Sequence, residues 1–209
     1  MKIVLLGGTF NPPHNGHLRI LRTAAQAVQA DAALMIPTGI SPHKSAQGVA
    51  SGVDRLAMCR LAAQSIGAQV SDCELRRAGK SYTVLTLEEL HAAYASAQLY
   101  LTMGADMLVT LDSWYRYADI IKLAHIVAFY RQQTEAARCV AMAEKIKADG
   151  GSVLLLPLEP DGISSTEIRN KLAHGQDPSG ELPEKVLDYI KSHGLYKSLE
   201  RGNEHVRKI

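Results

Sequence analysis

The chain has 209 residues, 46% apolar and 21% charged, which is enough for one α/β domain with its own core and excludes a disordered or fibrous chain. A net charge of +2 removes any global electrostatic case for a nucleic-acid partner, so a bound anion must be held locally. Three widely spaced cysteines, Cys59, Cys73 and Cys139, exclude a disulfide framework and a zinc knuckle, and no apolar run approaches the roughly 18–20 residues of a membrane span, so the expectation is a cytoplasmic protein with no membrane partner.

Residues 1–8 show no cleavable-signal pattern and run straight into a short apolar strand, predicted over 2–6. That strand ends in Gly7-Gly8-Thr9-Phe10-Asn11-Pro12-Pro13-His14-Asn15-Gly16-His17. Glycines here let the backbone turn sharply and approach a ligand with no Cβ in the way. A helix is predicted from about residue 16, with Leu18, Leu21, Ala25 and Val28 on one face. Its N-terminus offers unpaired N–H groups and a positive dipole end to an anion. His14 and His17 stand three apart and share a face, so both can point at one phosphate chain. Taken alone, such a pair reads equally as capping residues. A metal pair lacks further ligands at a matching spacing. The pattern is neither GxGxxG nor GxxxxGK, which weighs against a dehydrogenase and a P-loop ATPase.

Further strands are predicted over 33–36, 69–73, 99–103, 125–130 and 153–157, with helices near 53–66, 83–94 and 135–148. This alternation predicts a doubly wound, Rossmann-like parallel sheet with helices on both faces and ligands at the carboxyl ends of the strands. Residues 37–52, rich in Gly, Ser and Pro, form a long loop of the kind usually tied to function. Ser81-Tyr82-Thr83 opens a helix, and Gly104-Ala105-Asp106 follows a strand, where Asp106 is placed to accept from ribose hydroxyls. Trp114, beside Asp112, Ser113 and Tyr115, reads as a stacking plate for a flat ring or as a partly buried structural residue. Arg131 ends the next strand as either a site cation or a surface residue.

Gly162-Ile163-Ser164-Ser165-Thr166-Glu167-Ile168-Arg169 has capping-box spacing, so a helix should start there. A helix cap alone would explain it, except that Arg169 sits in the first turns, where the dipole disfavours a cation unless an anion is held nearby. A last helix over about 184–193 is bounded by Pro183 and Gly194. Residues 1–196 are expected to form a single domain, with a helical part from about 164, and 197–209 a frayed polar tail.

The first and last motifs resemble the (H/T)xGH and ISSTxIR hallmarks of the nucleotidyltransferase superfamily. With Pro42-His43-Lys44, Ser81-Tyr82-Thr83, Gly104-Ala105-Asp106, Trp114 and the closing Gly194-Leu195-Tyr196, nearly the whole chain is similar to bacterial nicotinate mononucleotide adenylyltransferases. Family members very often carry Asp where Asn11 stands, so Asn11 is given no catalytic role. They often continue Arg-Pro-Gly where this chain reads Arg131-Gln132-Gln133. The resemblance implies in-line attack of nicotinate mononucleotide on the α-phosphorus of ATP. ATP would lie on Gly8, Thr9, Phe10, His14, Gly16, His17, Gly104, Asp106, Ile163, Ser165, Thr166 and Arg169. His17 would meet the α-phosphate, His14 and Lys44 the α/β region, and Arg169 with Ser165 and Thr166 the leaving pyrophosphate. The mononucleotide would lie against His43, Lys44, Tyr82, Thr83, Asp106, Trp114, Tyr115 and Arg131, with Trp114 on its ring. Mg²⁺ would bridge phosphate oxygens without a protein cage. Relatives using pantetheine phosphate or a cytidine nucleotide, and a non-catalytic nucleotide sensor, are the alternatives. Self-association is left open.

Overall fold

The computed structural model describes residues 1–40, 48–159 and 162–197. Six parallel strands form one sheet, β1 (Lys2–Gly8), β2 (Ala32–Pro37), β3 (Gln69–Val70), β4 (Gln98–Gly104), β5 (His125–Tyr130) and β6 (Val153–Pro157), in the order β3-β2-β1-β4-β5-β6. β1 is therefore central, with Leu6 opposite Met35 of β2 and Thr102 of β4. Strand order reverses at β1 and β4, and the crevice beyond their carboxyl ends is where a doubly wound sheet receives ligands.

Side chains alternate across the sheet and build a core on each face. Ile3 and Leu5 of β1 pack with Leu99, Leu101 and Met103 of β4 on one face, while Val4 and Leu6 point to the other. The first core is covered by α4 (Thr83–Ala93), α5 (Ala105–Leu108), α6 (Tyr117–Leu123) and α7 (Gln133–Ala148), through Val84, Leu87, Leu108, Ile120 and Ile146. The second is covered by α1 (Asn15–Val28), α2 (Gly52–Gln64), α8 (Ser165–Ala173) and α9 (Glu184–Ser192), through Leu21, Met58, Ala62, Ile168, Val186 and Ile190. All three cysteines are buried free thiols, and burial pushes Cys59 up to about 12.

The predicted strands are all present, and those over 125–130 and 153–157 have the predicted bounds. The strand expected over 69–73 is shorter. It lies at the sheet edge with one neighbour, and Cys73 instead starts the four-residue α3 (Cys73–Arg76). α9 runs between Pro183 and a left-handed Gly194, φ +63°, and its approach segment bonds back to α1, Asn15 N–H donating to the Glu181 carbonyl at 2.9 Å. No helix among the described residues is long and apolar enough to cross a membrane.

Candidate active site

β1 ends in two glycines for different reasons. A Cβ on Gly7 would meet nothing within 4 Å, because it would project into open space, and the same holds at Gly104 at the end of β4. That space is a cleft of about 700 Å³ at the strand-order reversal. A Cβ on Gly8 would instead stand 3.1 Å from the Phe10 ring. Phe10 has a left-handed backbone, φ +49°, which folds its buried ring back under the turn. There it meets His17 edge-on, ring centroids 5.0 Å apart.

α1 starts with His14 as its N-cap residue in extended conformation. The His14 N–H donates to Nδ1 of His17 at 3.2 Å, which places the proton of a neutral His17 ring on Nε2. The two imidazole ring centroids lie 3.7 Å apart. His17 lines the cleft; His14 is buried behind it.

The second motif folds as a helix cap, with the Ser164 hydroxyl accepting from the Glu167 N–H at 3.1 Å. α8 is then stitched to the turn after β1. The Ser165 hydroxyl donates to the Pro12 carbonyl at 2.9 Å, and the Arg169 guanidinium donates to the Asn11 carbonyl at 2.9 Å and to Oγ1 of Thr166 at 3.3 Å. Residues more than 150 apart in sequence thus share one cleft wall. Gly8, Thr9, Phe10, His17, Gly104, Ser165, Thr166 and Arg169 line this cleft.

Two buried charged residues that sequence reasoning did not select hold the same wall. Arg55 of α2 is 4% exposed and donates to the carbonyls of Thr9 at 2.9 Å, Thr38 at 2.7 Å and Ala50 at 3.1 Å. It ties the ends of β1 and β2 to the chain entering α2, and burial lowers its pKa. Glu74 of α3 is 7% exposed, and burial raises its pKa against hydrogen bonds from Thr86, Ser81 and Thr38. The Ser81 hydroxyl also accepts from the Gly39 N–H at 3.1 Å, so this carboxyl joins the end of β2 to the start of α4. A Cβ on Gly39 would lie 2.4 Å from the Glu74 carbonyl, which explains why a glycine stands there.

Tyr82 and Thr83 open α4, and the Tyr82 ring meets that of Tyr115 at 4.8 Å. Trp114 is half-buried against the core beneath the same surface. Asp106 is exposed in the first turn of α5. Arg131 is exposed between β5 and α7, its N–H on the Glu135 carboxylate at 2.7 Å. Gly16 is buried in α1, and Ile163 precedes α8. Pro42, His43 and Lys44 lie outside the described residues.

Residues 5–171 match the family described as cytidylyltransferase-like. Over 202 residues the chain is 40% identical to a Neisseria meningitidis serogroup B protein named "Probable nicotinate-nucleotide adenylyltransferase", spanning 94% of this chain and 98% of that one. A Listeria welshimeri protein of the same name is 37% identical over 196 residues, 93% of this chain and 97% of its own. The chain belongs to the nicotinate-nucleotide adenylyltransferase family. Its fold matches that of Plasmodium falciparum nicotinic acid mononucleotide adenylyltransferase complexed with NaAD, with a TM-score of 0.75 over 93% of this chain and 97% of that one, at 17% identity. A Vibrio parahaemolyticus structure described as a putative nicotinate-nucleotide adenylyltransferase matches with a TM-score of 0.65 over 94% and 95%, at 22% identity. Of the side chains named above in the turn after β1 and at the start of α8, His17, Ser165, Thr166 and Arg169 line the same cleft, and His14 is buried against His17.

Proposed function

We infer that this adenylyltransferase joins the AMP part of ATP to the 5′-phosphate of nicotinate mononucleotide, giving nicotinate adenine dinucleotide and pyrophosphate, a step of NAD biosynthesis. The observation that carries this reading is the joining of α8 to the β1–α1 turn, which brings two helix starts and the Arg169 guanidinium to one cleft. Two anion-binding helix ends suit a triphosphate.

A phosphate oxygen of the mononucleotide attacks the α-phosphorus, and the bond from that phosphorus to the bridging oxygen of pyrophosphate breaks. Catalysis then rests on alignment and on donors aimed at charge developing on phosphate oxygens. His17 donates from Nε2 to the α-phosphate, His14 braces it, and Arg169 with Ser165 and Thr166 holds the departing pyrophosphate. Lys44 meets the transferring phosphate oxygens and His43 the mononucleotide's phosphate. The mononucleotide's ring lies by Tyr82, Thr83, Trp114 and Tyr115, with Asp106 on a ribose. ATP enters as its magnesium complex. Among the described residues no three His, Cys, Asp or Glu side chains group to hold a metal, and a cation bound to phosphate oxygens needs no such cage.

Pyrophosphate release from ATP, measured against nicotinate mononucleotide, nicotinamide mononucleotide and pantetheine phosphate, tests the reading. Release with the pyridine mononucleotides alone is expected, and release with pantetheine phosphate alone would overturn it.

A further inference from the structure

Asn11 is 5% exposed, and both polar atoms of its side-chain amide are hydrogen-bonded. Oδ1 accepts from the Tyr196 hydroxyl at 2.8 Å and from the Ala50 N–H at 2.9 Å, while Nδ2 donates to the Gly48 carbonyl at 3.0 Å. Its main-chain carbonyl takes the Arg169 guanidinium. Three other stretches of chain therefore meet on one residue that lines the cleft. The donor and acceptor pattern fixes the amide's orientation, since a flipped amide would face N–H and O–H donors with its own NH₂.

Tyr196 is the distal member of this set, 185 positions away. It follows the turn after α9 with a left-handed backbone, φ +63°, and packs on the core under α1 and α2. Burial pushes its phenol up, so it remains a protonated donor at any physiological pH. Arg169 is close enough to act on the phenol electrostatically, opposing that shift. The residue that anchors Arg169 is thus itself held by the C-terminal segment.

We propose that Tyr196 and Asn11 form a positioning pair, in which the Tyr196 hydroxyl fixes Asn11 so that the Asn11 carbonyl presents Arg169 to the leaving pyrophosphate. Neither side chain needs to touch substrate. The proposal rests on the assignment of Arg169 to the phosphate chain.

Tyr196→Phe removes one hydroxyl and leaves the packed ring. Losing one such hydrogen bond should lower kcat roughly three- to tenfold. KM for the mononucleotide should stay near the wild-type value, and the melting temperature should stay within about 5 °C. A purely structural role would move stability and leave kcat alone. The deciding measurement is a double-mutant cycle in kcat. Against Arg169→Ala, and against Asn11→Ala, Tyr196→Phe should cost nothing further. Against Asn11→Asp, which keeps an acceptor oxygen, its cost should return. Effects that multiply in the Arg169→Ala background, or an unchanged kcat in Tyr196→Phe, overturn the pair. Near-normal turnover of Arg169→Ala itself would instead remove the assignment beneath it, so the two failures are distinguishable.

Discussion

A cation near a helix start and carboxyls or guanidiniums inside a core are unfavourable placements, and here each one faces the cleft or its wall. Arg169 turns away from the α8 axis onto the Asn11 carbonyl and Thr166. If it and His17 act on charge that develops during transfer, His17→Ala or Arg169→Ala should lower kcat roughly 10²–10³-fold with a smaller change in KM, read from initial rates of pyrophosphate release. Glu74 makes a separate prediction. Its folded pKa is raised, so the folded state holds a proton more tightly than the unfolded chain. Its contribution to stability is present in full below the ordinary carboxyl range and is lost as pH rises through the raised value. Glu74→Gln should flatten that part of the stability–pH curve measured by denaturant titration. His14, His17, Ser165 and Arg169 were legible because a short motif carries them. Arg55, Glu74 and Asn11 were not. The partners of Arg55 are carbonyls up to 46 positions away and those of Asn11 lie up to 185 away, and no local pattern announces such partners. A charged residue in a helix reads by default as solvated, although Glu74 and Arg55 are both buried.

At the level of elements, the carboxyl end of β2 joins the cleft wall to the start of α4. Thr38 bonds Arg55, Gly39 bonds Ser81, and Ile40 pairs with Lys80 just before α4. The Cβ of a Gly39→Ala variant would be driven against the main chain of Glu74 at 2.4 Å, and backbone cannot yield as a flexible side chain can. Gly39→Ala is therefore expected to lose about 1–3 kcal/mol of stability and to raise KM for both substrates, whereas Gly180→Ala, with nothing within 4 Å, should leave both unchanged. Thermal melts and steady-state rates on the two variants check this. The sheet was readable in advance because parallel strands are short unbroken apolar runs: β5 is buried along its middle, and β6, although a half-exposed edge strand, keeps the same apolar run. α6 was not, since seven residues give too little length for a helical period to show. β3 was overextended because an edge strand with two paired residues leaves the following apolar Cys73 free to turn inward as a helix start.

Across the molecule, a net charge of +2 gives no global attraction for anions, so on the proposed reading the triphosphate is held by the helix starts and single cations that geometry places at the crevice between β1 and β4. On the same reading, choice of the second substrate falls to the surface where α4 begins. There the Tyr82 and Tyr115 rings meet beside Trp114, and the first N–H groups of α4 have no acceptor within their own helix. Nicotinate and nicotinamide mononucleotides differ only in a carboxylate against a neutral amide, so discrimination must come from charge and hydrogen-bond polarity. A carboxylate offers acceptors only, which matches main-chain N–H donors near Thr83 and Tyr115. An amide would turn its NH₂ toward at least one of them and leave that donor unpaired, at about 1–3 kcal/mol each. This corresponds to roughly ten- to a hundredfold in kcat/KM for each mispaired group. Stacking is indifferent to the substituent, so Trp114→Ala should raise KM for both substrates and keep the order of preference. Steady-state kinetics with the two mononucleotides on wild type and Trp114→Ala measure both effects. Equal efficiency in the wild type, or a preference for the amide, would refute the reading of this surface and leave adenylyl transfer at the phosphate cleft intact.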